Sequence, residues 1–381
     1  MQSKLPQVAT NIFSVMSGLA KDYQAINLSQ GFPDFPIADE LIDYVHQAMR
    51  DGHNQYAPMT GMPMLREILA EKINKLYGRA IHPDEEITIT PGGTYSIYTS
   101  LATILYPGDE VIVLEPAYDS YIANIESMQA QAVCVPLRFP DFSVDWEVVQ
   151  QAITVKTKAI VINTPHNPCG YVWSKEDMVQ LQHMLRDTSI YIISDEVYEH
   201  ITLDGRKHES VLAYPELFER SFVTFSFGKV FHTTGWKMGY CVAPKKCMLE
   251  FRKMHQFLSF SCNTPMQVAL ANYLQDETAY LSLPDFFQRK RDLFLDLISA
   301  LPFTIYNPTP GSYFQLAGFK AIQDVSDKEF AIWMTKEIGV ATIPVSAFYR
   351  NGKDDQLIRF CFAKKEETLK AAAEKMKRLM L

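Results

Sequence analysis

Lys229 stands where an amine can be made reactive. It follows the apolar run Ser221-Phe-Val-Thr-Phe225, closes Ser226-Phe-Gly-Lys229, and precedes Thr234-Gly-Trp-Lys237, which brings a second cation eight positions later. Lysine is the side chain that forms Schiff bases with carbonyls, and burial beside another cation lowers its pKa toward that task. A solitary lysine is by default a solvated surface group. Its weight here comes from other chemistry-bearing residues that recur wherever an apolar run ends.

After residues 87–90 the chain reads Pro91-Gly-Gly93-Thr94, small residues and a hydroxyl ahead of a helical pattern, which offer backbone N–H groups to a phosphate. After 111–114 comes Glu115-Pro-Ala-Tyr118, an aromatic that can stack on a flat ring. After 159–163, Thr164-Pro-His-Asn167-Pro-Cys-Gly170 fixes an amide inside a turn. After 190–194, Asp195-Glu-Val-Tyr198 places a carboxylate at the exit of a buried strand, a costly position without a cationic partner. Far downstream, Leu357-Ile-Arg359-Phe-Cys-Phe buries one guanidinium in an apolar strand, where a carboxylate partner is the usual arrangement. Each feature alone has an ordinary structural reading as a turn, a core ring or an ion pair. Together they match the needs of one cofactor, pyridoxal 5′-phosphate: a phosphate cradle, a stacking ring, an aldehyde-capturing lysine, a carboxylate for the ring nitrogen and donors for the ring oxygen. Arg359 is then free for a substrate carboxylate.

The elements that must carry these residues are legible as a beat of short apolar runs at 87–90, 111–114, 133–136, 159–163, 190–194, 222–226 and 240–243. Helical patterns separate most of them, at 96–105, 120–129 and 175–186, after earlier ones at 38–51 and 62–77. Continuous apolar strands alternating with helices predict an α/β domain whose mostly parallel sheet is covered on both faces. Ligands of such sheets bind outside the strand carboxyl ends. Helices follow at 251–260, 265–275 and 286–301, then an α+β pattern: a strand at 312–316, a helix at 327–338, strands at 340–343 and 357–361, and a last helix. The stretch before Asp34 reads as irregular. The expected division is a large domain at 40–295 and a small one built from 1–39 and 296–381.

A chain of 381 residues exceeds the size at which single cores stop growing. Its formal charge of −8 speaks against nucleic-acid or anionic-membrane binding, which need clustered positive charge. Six cysteines without a Cys-x-x-Cys pair read as reduced thiols, and with no signal peptide or membrane span visible, a cytoplasmic enzyme is expected.

These motifs, in the order Asn-Pro, Asp-x-x-Tyr, Ser-x-x-Lys and Gly-Trp-Lys, resemble those of the fold-type I pyridoxal-phosphate enzymes of the aspartate-aminotransferase superfamily, and closely the methionine and kynurenine aminotransferases. The resemblance spans essentially the whole chain, from Leu28-Ser-Gln-Gly-Phe-Pro-Asp34 through Asn54-Gln-Tyr56-Ala-Pro to Arg359. It implies a seven-stranded sheet and a homodimer with shared active sites. It also implies ping-pong transamination, in which an amino acid yields a 2-oxo acid and the cofactor carries the amino group to a second oxo acid. By the same resemblance Lys229 is the aldimine lysine and proton carrier, and Asp195 keeps the ring nitrogen protonated. Tyr198 and Asn167 bind the ring oxygen, and Tyr118 stacks on the ring. Gly93, Thr94, Ser226 and Lys237 hold the phosphate, with Tyr56 reaching in from a partner subunit. Arg359 holds the substrate α-carboxylate with Asn167 and the Gly31 backbone, while Phe32 and Phe260 shape an apolar side-chain pocket. Methionine-like and aromatic donors follow. One departure is Gly228, where many relatives carry a small hydroxyl residue.

A carbon–sulfur β-lyase would use the same lysine and is the nearest alternative. A regulatory pyridoxal-phosphate-binding module would need a DNA-binding domain, and no basic helix-turn-helix stretch precedes the fold. Glu196, Glu199 and His200 are close enough to suggest metal ligands, but no His-Glu-x-x-His accompanies them. Nor is there a Gly-x-Ser-x-Gly elbow or a nucleotide phosphate loop.

Overall fold

The computed structural model of the chain describes residues 3–6, 8 and 10–380. Its strands in chain order are β1 (Ile26–Asn27), β2 (Ile87–Thr90), β3 (Glu110–Glu115), β4 (Gln131–Pro136), β5 (Thr157–Asn163), β6 (Tyr191–Asp195), β7 (Ser221–Ser226), β8 (Gly239–Val242), β9 (Phe314–Gly318), β10 (Val340–Ala341), β11 (Ile343–Pro344) and β12 (Leu357–Cys361). Seven of them form one sheet in the order β2-β8-β7-β6-β5-β3-β4. Pairing is parallel from β7 to β4, and β8 runs antiparallel to both its neighbours. The α/β expectation thus holds in kind and in strand number.

The side-chain period of two explains why these strands are apolar throughout. Val111, Val113, Ala159, Val161 and Phe222 enter one apolar cluster, while Ile112, Leu114, Ile160, Ile162 and Val223 enter the other. With a core on both faces, neither set can be polar. Helix boundaries follow local chemistry. Pro63 opens the helix Pro63–Tyr77 and Gly78, at φ +66°, closes it in the left-handed region. Ser174 and Asp177 form a capping box at the start of Lys175–Leu185.

Two smaller sheets lie outside this one. β1 pairs in parallel with β10, Ile26 opposite Val340, which ties the N-terminal segment to the C-terminal unit. β11, β12 and β9 form an antiparallel sheet in which Arg359 lies opposite Ile343 on one side and Leu316 on the other.

Three expectations need correction. The stretch before Asp34 is not wholly irregular: Ile12–Asp22 is a helix, capped by the Asn11 side chain, which accepts from the Phe13 N–H. Its buried residues, Met16 and Ala20, are four apart and so share one face, flanked by the half-buried Ile12, Phe13 and Leu19. The helix expected at 327–338 changes winding, from α over Asp327–Trp333 to π over Met334–Ile338. The strand expected at 340–343 is two, because β10 and β11 pair into different sheets.

Candidate active site

The parallel register sets Asn163 beside Asp195, and Asp195 beside Thr224, so β5 and β6 end at one level and β7 runs two residues beyond it. Around those ends lies a cavity of about 740 Å3 of empty space open to solvent. It is lined by Gly93, Thr94, Tyr118, Asn167, Asp195, Tyr198, Ser226, Lys229 and Lys237, all expected from sequence, together with Tyr121 and Asn163, which were not.

Asp195 is buried at the last position of β6. Its Oδ1 accepts from the Val197 N–H at 3.2 Å and its Oδ2 from the Tyr121 hydroxyl at 2.5 Å. Burial pushes its carboxyl up to about 6, against the opposing pull of these two donors and of the Lys229 charge. Lys229 sits on the single helical turn Phe227–Val230 that follows β7. Its Nζ donates to the Gly31 carbonyl at 3.3 Å and lies 5.7 Å from the Tyr198 ring centre and 5.9 Å from that of Tyr313. Burial brings the amine down to about 8; Arg359 and Lys237 push the same way, and Cys361 and Asp195 against it. A neutral, nucleophilic fraction at neutral pH results.

One wall of the cavity is shaped for an anion. Gly92, at φ +86°, precedes the twelve-residue helix Gly93–Ile104, whose first N–H groups have no intrahelical partner. A Cβ at position 93 would fall 2.9 Å from Val197 Cγ1, so only glycine lets the backbone come this close. Lys237 adopts the left-handed region at φ +55°, unusual for a side-chain-bearing residue, and its Nζ stands 3.6 Å from where a Gly92 Cβ would be. Gly228 belongs to this packing: a Cβ there would lie 3.0 Å from Thr234 Cα, which leaves no room for a hydroxyl residue without moving the 233–234 backbone. The Thr94 hydroxyl is 3.5 Å from that of Tyr118.

Arg359 is buried in β12 and, among the described residues, has no carboxylate partner. Nη1 donates to Asn167 Oδ1 at 2.6 Å, Nη2 donates to the Ser29 carbonyl at 3.0 Å, and Nε has no hydrogen-bond partner among the described residues. Its carbon lies 3.8 Å from the Phe314 ring centre, with Phe348 and Phe13 at 5.0 and 5.2 Å. Amide, carbonyl and ring faces thus shield the guanidinium but leave its charge uncompensated, and burial brings it down to about 10. It does not line the cavity wall itself and joins it through Asn167. Gly31 is similarly placed, its carbonyl accepting from both Lys229 and the Tyr313 hydroxyl.

Three expected residues stand apart. Tyr56 is 84% exposed and packs edge to face on Phe260 with ring centres 5.6 Å apart, and neither lines the cavity of its own chain. Phe32 is half exposed, with the Lys364 ammonium 4.9 Å from its ring centre.

The opposite side of the segment carrying Asp195 and Tyr198 holds a second set of buried charges. Lys72 Nζ donates to Glu199 Oε1 at 2.6 Å, and Tyr77 donates to Oε2 at 2.9 Å. Burial pushes the Glu199 carboxyl up, but the Lys72 and His200 charges outweigh it and hold the group well below the usual carboxylate range. Glu196 accepts from Ser194 Oγ and the Val211 N–H and pairs with His208 Nε2 at 2.8 Å. Among the described residues no group of three or more histidine, cysteine or acidic side chains could hold a metal ion.

Residues 23–376 match the family described as aminotransferase class I and II. The chain belongs to this family. This aminotransferase is 46% identical over 379 residues to the methionine aminotransferase of Escherichia coli K12, covering 99% of this chain and 98% of that one. It is 34% identical over 395 residues to kynurenine–oxoglutarate transaminase 3 of Rattus norvegicus, covering 96% and 87%. Among solved structures it resembles Escherichia coli YbdL, described as having a methionine aminotransferase function, with a TM-score of 0.97 at 46% identity over 99% of both chains. The enzyme is a fold-type I aminotransferase that depends on pyridoxal 5′-phosphate. The free N–H groups and lysine beside Gly92, the glycine-only approach at Gly93 and the carboxylate at the cavity floor fit that cofactor's phosphate and ring nitrogen.

Proposed function

We propose that this aminotransferase takes the α-amino group of methionine-like or aromatic amino acids and gives it to a 2-oxo acid in two half-reactions. When bound, pyridoxal 5′-phosphate supplies an aldehyde for the amine and an aromatic ring that takes up electron density from Cα. The protein's share is orientation and charge placement. Lys229 would be the amine that meets the aldehyde and would carry a proton away from the substrate Cα, a task suited to an amine near neutrality. Asp195 would keep a proton on the ring nitrogen. Tyr198 and Asn167 would serve the ring oxygen, and Tyr118 a ring face. The Gly93 N–H, Thr94, Ser226 and Lys237 would hold the phosphate. Arg359, with Asn167 and the Gly31 backbone, receives the α-carboxylate as a charge-assisted pair.

One observation carries the substrate-binding half of this reading. Arg359 is 1% exposed yet, among the described residues, has no carboxylate partner and leaves Nε unbonded, and a substrate carboxylate supplies both needs. The donor class rests on similarity to the methionine and kynurenine enzymes, with Phe32 and Phe260 as candidate walls for an apolar side chain. The half-reaction tests it. Loaded enzyme given methionine without an acceptor should release one 2-oxo acid per chain and then stop. Continued release of ammonia and a 2-oxo acid from a cysteine S-conjugate, with none from methionine, would instead assign a β-lyase.

Two further features belong to this proposal. Tyr56 and Phe260, with the nearby exposed Phe257 and Leu258, form an apolar face that a second copy of the chain would cover while supplying Tyr56 to the neighbouring phosphate site. A fully active monomer in sedimentation would refute this. The division into a large unit at 40–295 and a small one at 1–39 with 296–381 is supported by the β1–β10 pairing. Six free cysteines accord with the cytoplasm, and among the described residues no helix is long and apolar enough to cross a membrane.

A further inference from the structure

We propose that Tyr121 is a positioning residue for amino-group transfer: its hydroxyl holds Asp195 as an oriented carboxylate facing the ring nitrogen. This rests on Asp195 being the residue that meets that nitrogen.

Three observations converge. Tyr121 is 2% exposed on the helix Ser120–Ser127, and its ring belongs to the apolar cluster that includes Ile97, Val113 and Ile125, so it has little freedom to turn away. Its hydroxyl donates to Asp195 Oδ2 at 2.5 Å while the Val197 N–H donates to Oδ1 at 3.2 Å, so each carboxylate oxygen is held by one neutral donor. Both residues also line the cavity, so the bond borders it. The charged or titratable groups around Asp195 are Lys229 after β7, Glu196 beside it in sequence, and Tyr118 and Tyr198 on either side. Burial and the Asp195 charge hold the Tyr121 phenol well above its ordinary range, so the hydrogen runs from phenol to carboxylate.

The chemical consequence concerns where a proton rests. A proton shared between a carboxylate and a ring nitrogen goes to the stronger base. A buried carboxylate is a strong base, and each hydrogen bond it accepts weakens it. By donating to Oδ2, Tyr121 lowers the basicity of Asp195 and leaves the proton on the ring nitrogen, where it is useful. Neighbouring Tyr118 would work on the ring face, and Tyr121, three residues on, would work through Asp195.

The test compares Tyr121→Phe, Asp195→Asn and the double variant in cofactor-loaded and cofactor-free protein. Phenylalanine keeps the ring and its packing and removes only the oxygen. In cofactor-free Tyr121→Phe, carbon NMR of labelled aspartate should show the Asp195 carboxyl titrating roughly one to two pH units higher than in the parent. In loaded Tyr121→Phe, nitrogen NMR of labelled cofactor should show a smaller protonated fraction at the ring nitrogen, with a matching fall in cofactor affinity. In the Asp195→Asn background the tyrosine change should add little. An unchanged Asp195 titration and ring-nitrogen signal in Tyr121→Phe, with Asp195→Asn altering the latter, would overturn the role of Tyr121 alone. If Asp195→Asn itself left ring-nitrogen protonation and cofactor affinity intact, the assignment of Asp195 would fall, and this inference with it.

Discussion

The segment from Asp195 to His200 has buried charge on both of its sides, and the two sides are built on opposite terms. Behind it, Lys72 meets Glu199 at 2.6 Å and Glu196 meets His208 at 2.8 Å, each acid with further donors. Toward the cavity, among the described residues, Lys229 has only a carbonyl, Arg359 an amide and a carbonyl, and Asp195 a phenol and an N–H. Behind the segment the Glu199 charge is matched by the Lys72 ammonium, and Glu196 is enclosed by donors. Charge in front is only propped in place by neutral groups, so it remains available to a cofactor and a substrate. Buried, uncompensated charge is costly, and here it collects where a charged ligand would compensate it.

Removing single members of each set should therefore have different consequences. The largest effect belongs to Lys229→Ala, which should lose the yellow form of the loaded protein and reduce turnover by roughly 10³-fold or more, the range of a lost acid–base group and nucleophile combined. Stopped-flow absorbance with methionine reads this. Lys72→Met should cost about 3 to 5 kcal/mol of stability in urea unfolding, because it leaves the Glu199 carboxylate buried without its cation. Arg359→Met should behave the other way. Stability should change by about 1 kcal/mol or less, since no carboxylate is orphaned, while KM for the amino acid rises by roughly 10²-fold through loss of charge-assisted bonds. Equal stability losses in the two methionine variants would erase the distinction between the two sides.

The smallest effects are in pH. Asp195 has its folded pKa raised to about 6, so the folded protein binds the proton more tightly than the unfolded chain does. Its contribution to stability is present below about pH 4 and is lost as pH rises through about 6, on the order of 2 to 3 kcal/mol. Glu199 is depressed, so its contribution is present above the unfolded carboxylate range of about 4.3 and is lost as pH falls below that. In cofactor-free protein unfolded by urea, the stability difference between the parent and Asp195→Asn should therefore shift in the parent's favour on acidification from pH 7 to 5, while His166 and His232, lowered by burial to about 3 and about 4, pull both proteins the other way.

Much of the cavity was legible because its residues follow strand ends, and strand ends are marked by apolar runs stopping at glycine, proline or an acid. Lys229, Asp195, Asn167 and Gly93 all announce themselves this way. Tyr121 does not: it sits one helical turn after Tyr118 in Tyr-Asp-Ser-Tyr, a spacing that could have suggested a shared face, yet only the fold brings it to Asp195. Lys72 and Glu199 are 127 positions apart, and nothing in either neighbourhood predicts their meeting. Arg359 departs from the usual pairing for a related reason. The rule that buried arginine pairs with acid describes satisfied cores, and this residue belongs to a site left unsatisfied. The N-terminal helix is not legible in the sequence because its fully buried face is only Met16 and Ala20, and many of its partners, Phe348 among them, come from the far end of the chain.

The central claim is that Lys229 is the amine that engages the cofactor. Borohydride reduction of the loaded enzyme, followed by proteolysis and mass spectrometry, tests it directly. The cofactor mass should appear on the peptide containing Ser226-Phe-Gly-Lys229, at one per chain. Its appearance on another lysine, such as Lys237, with Lys229 unmodified, would contradict the account.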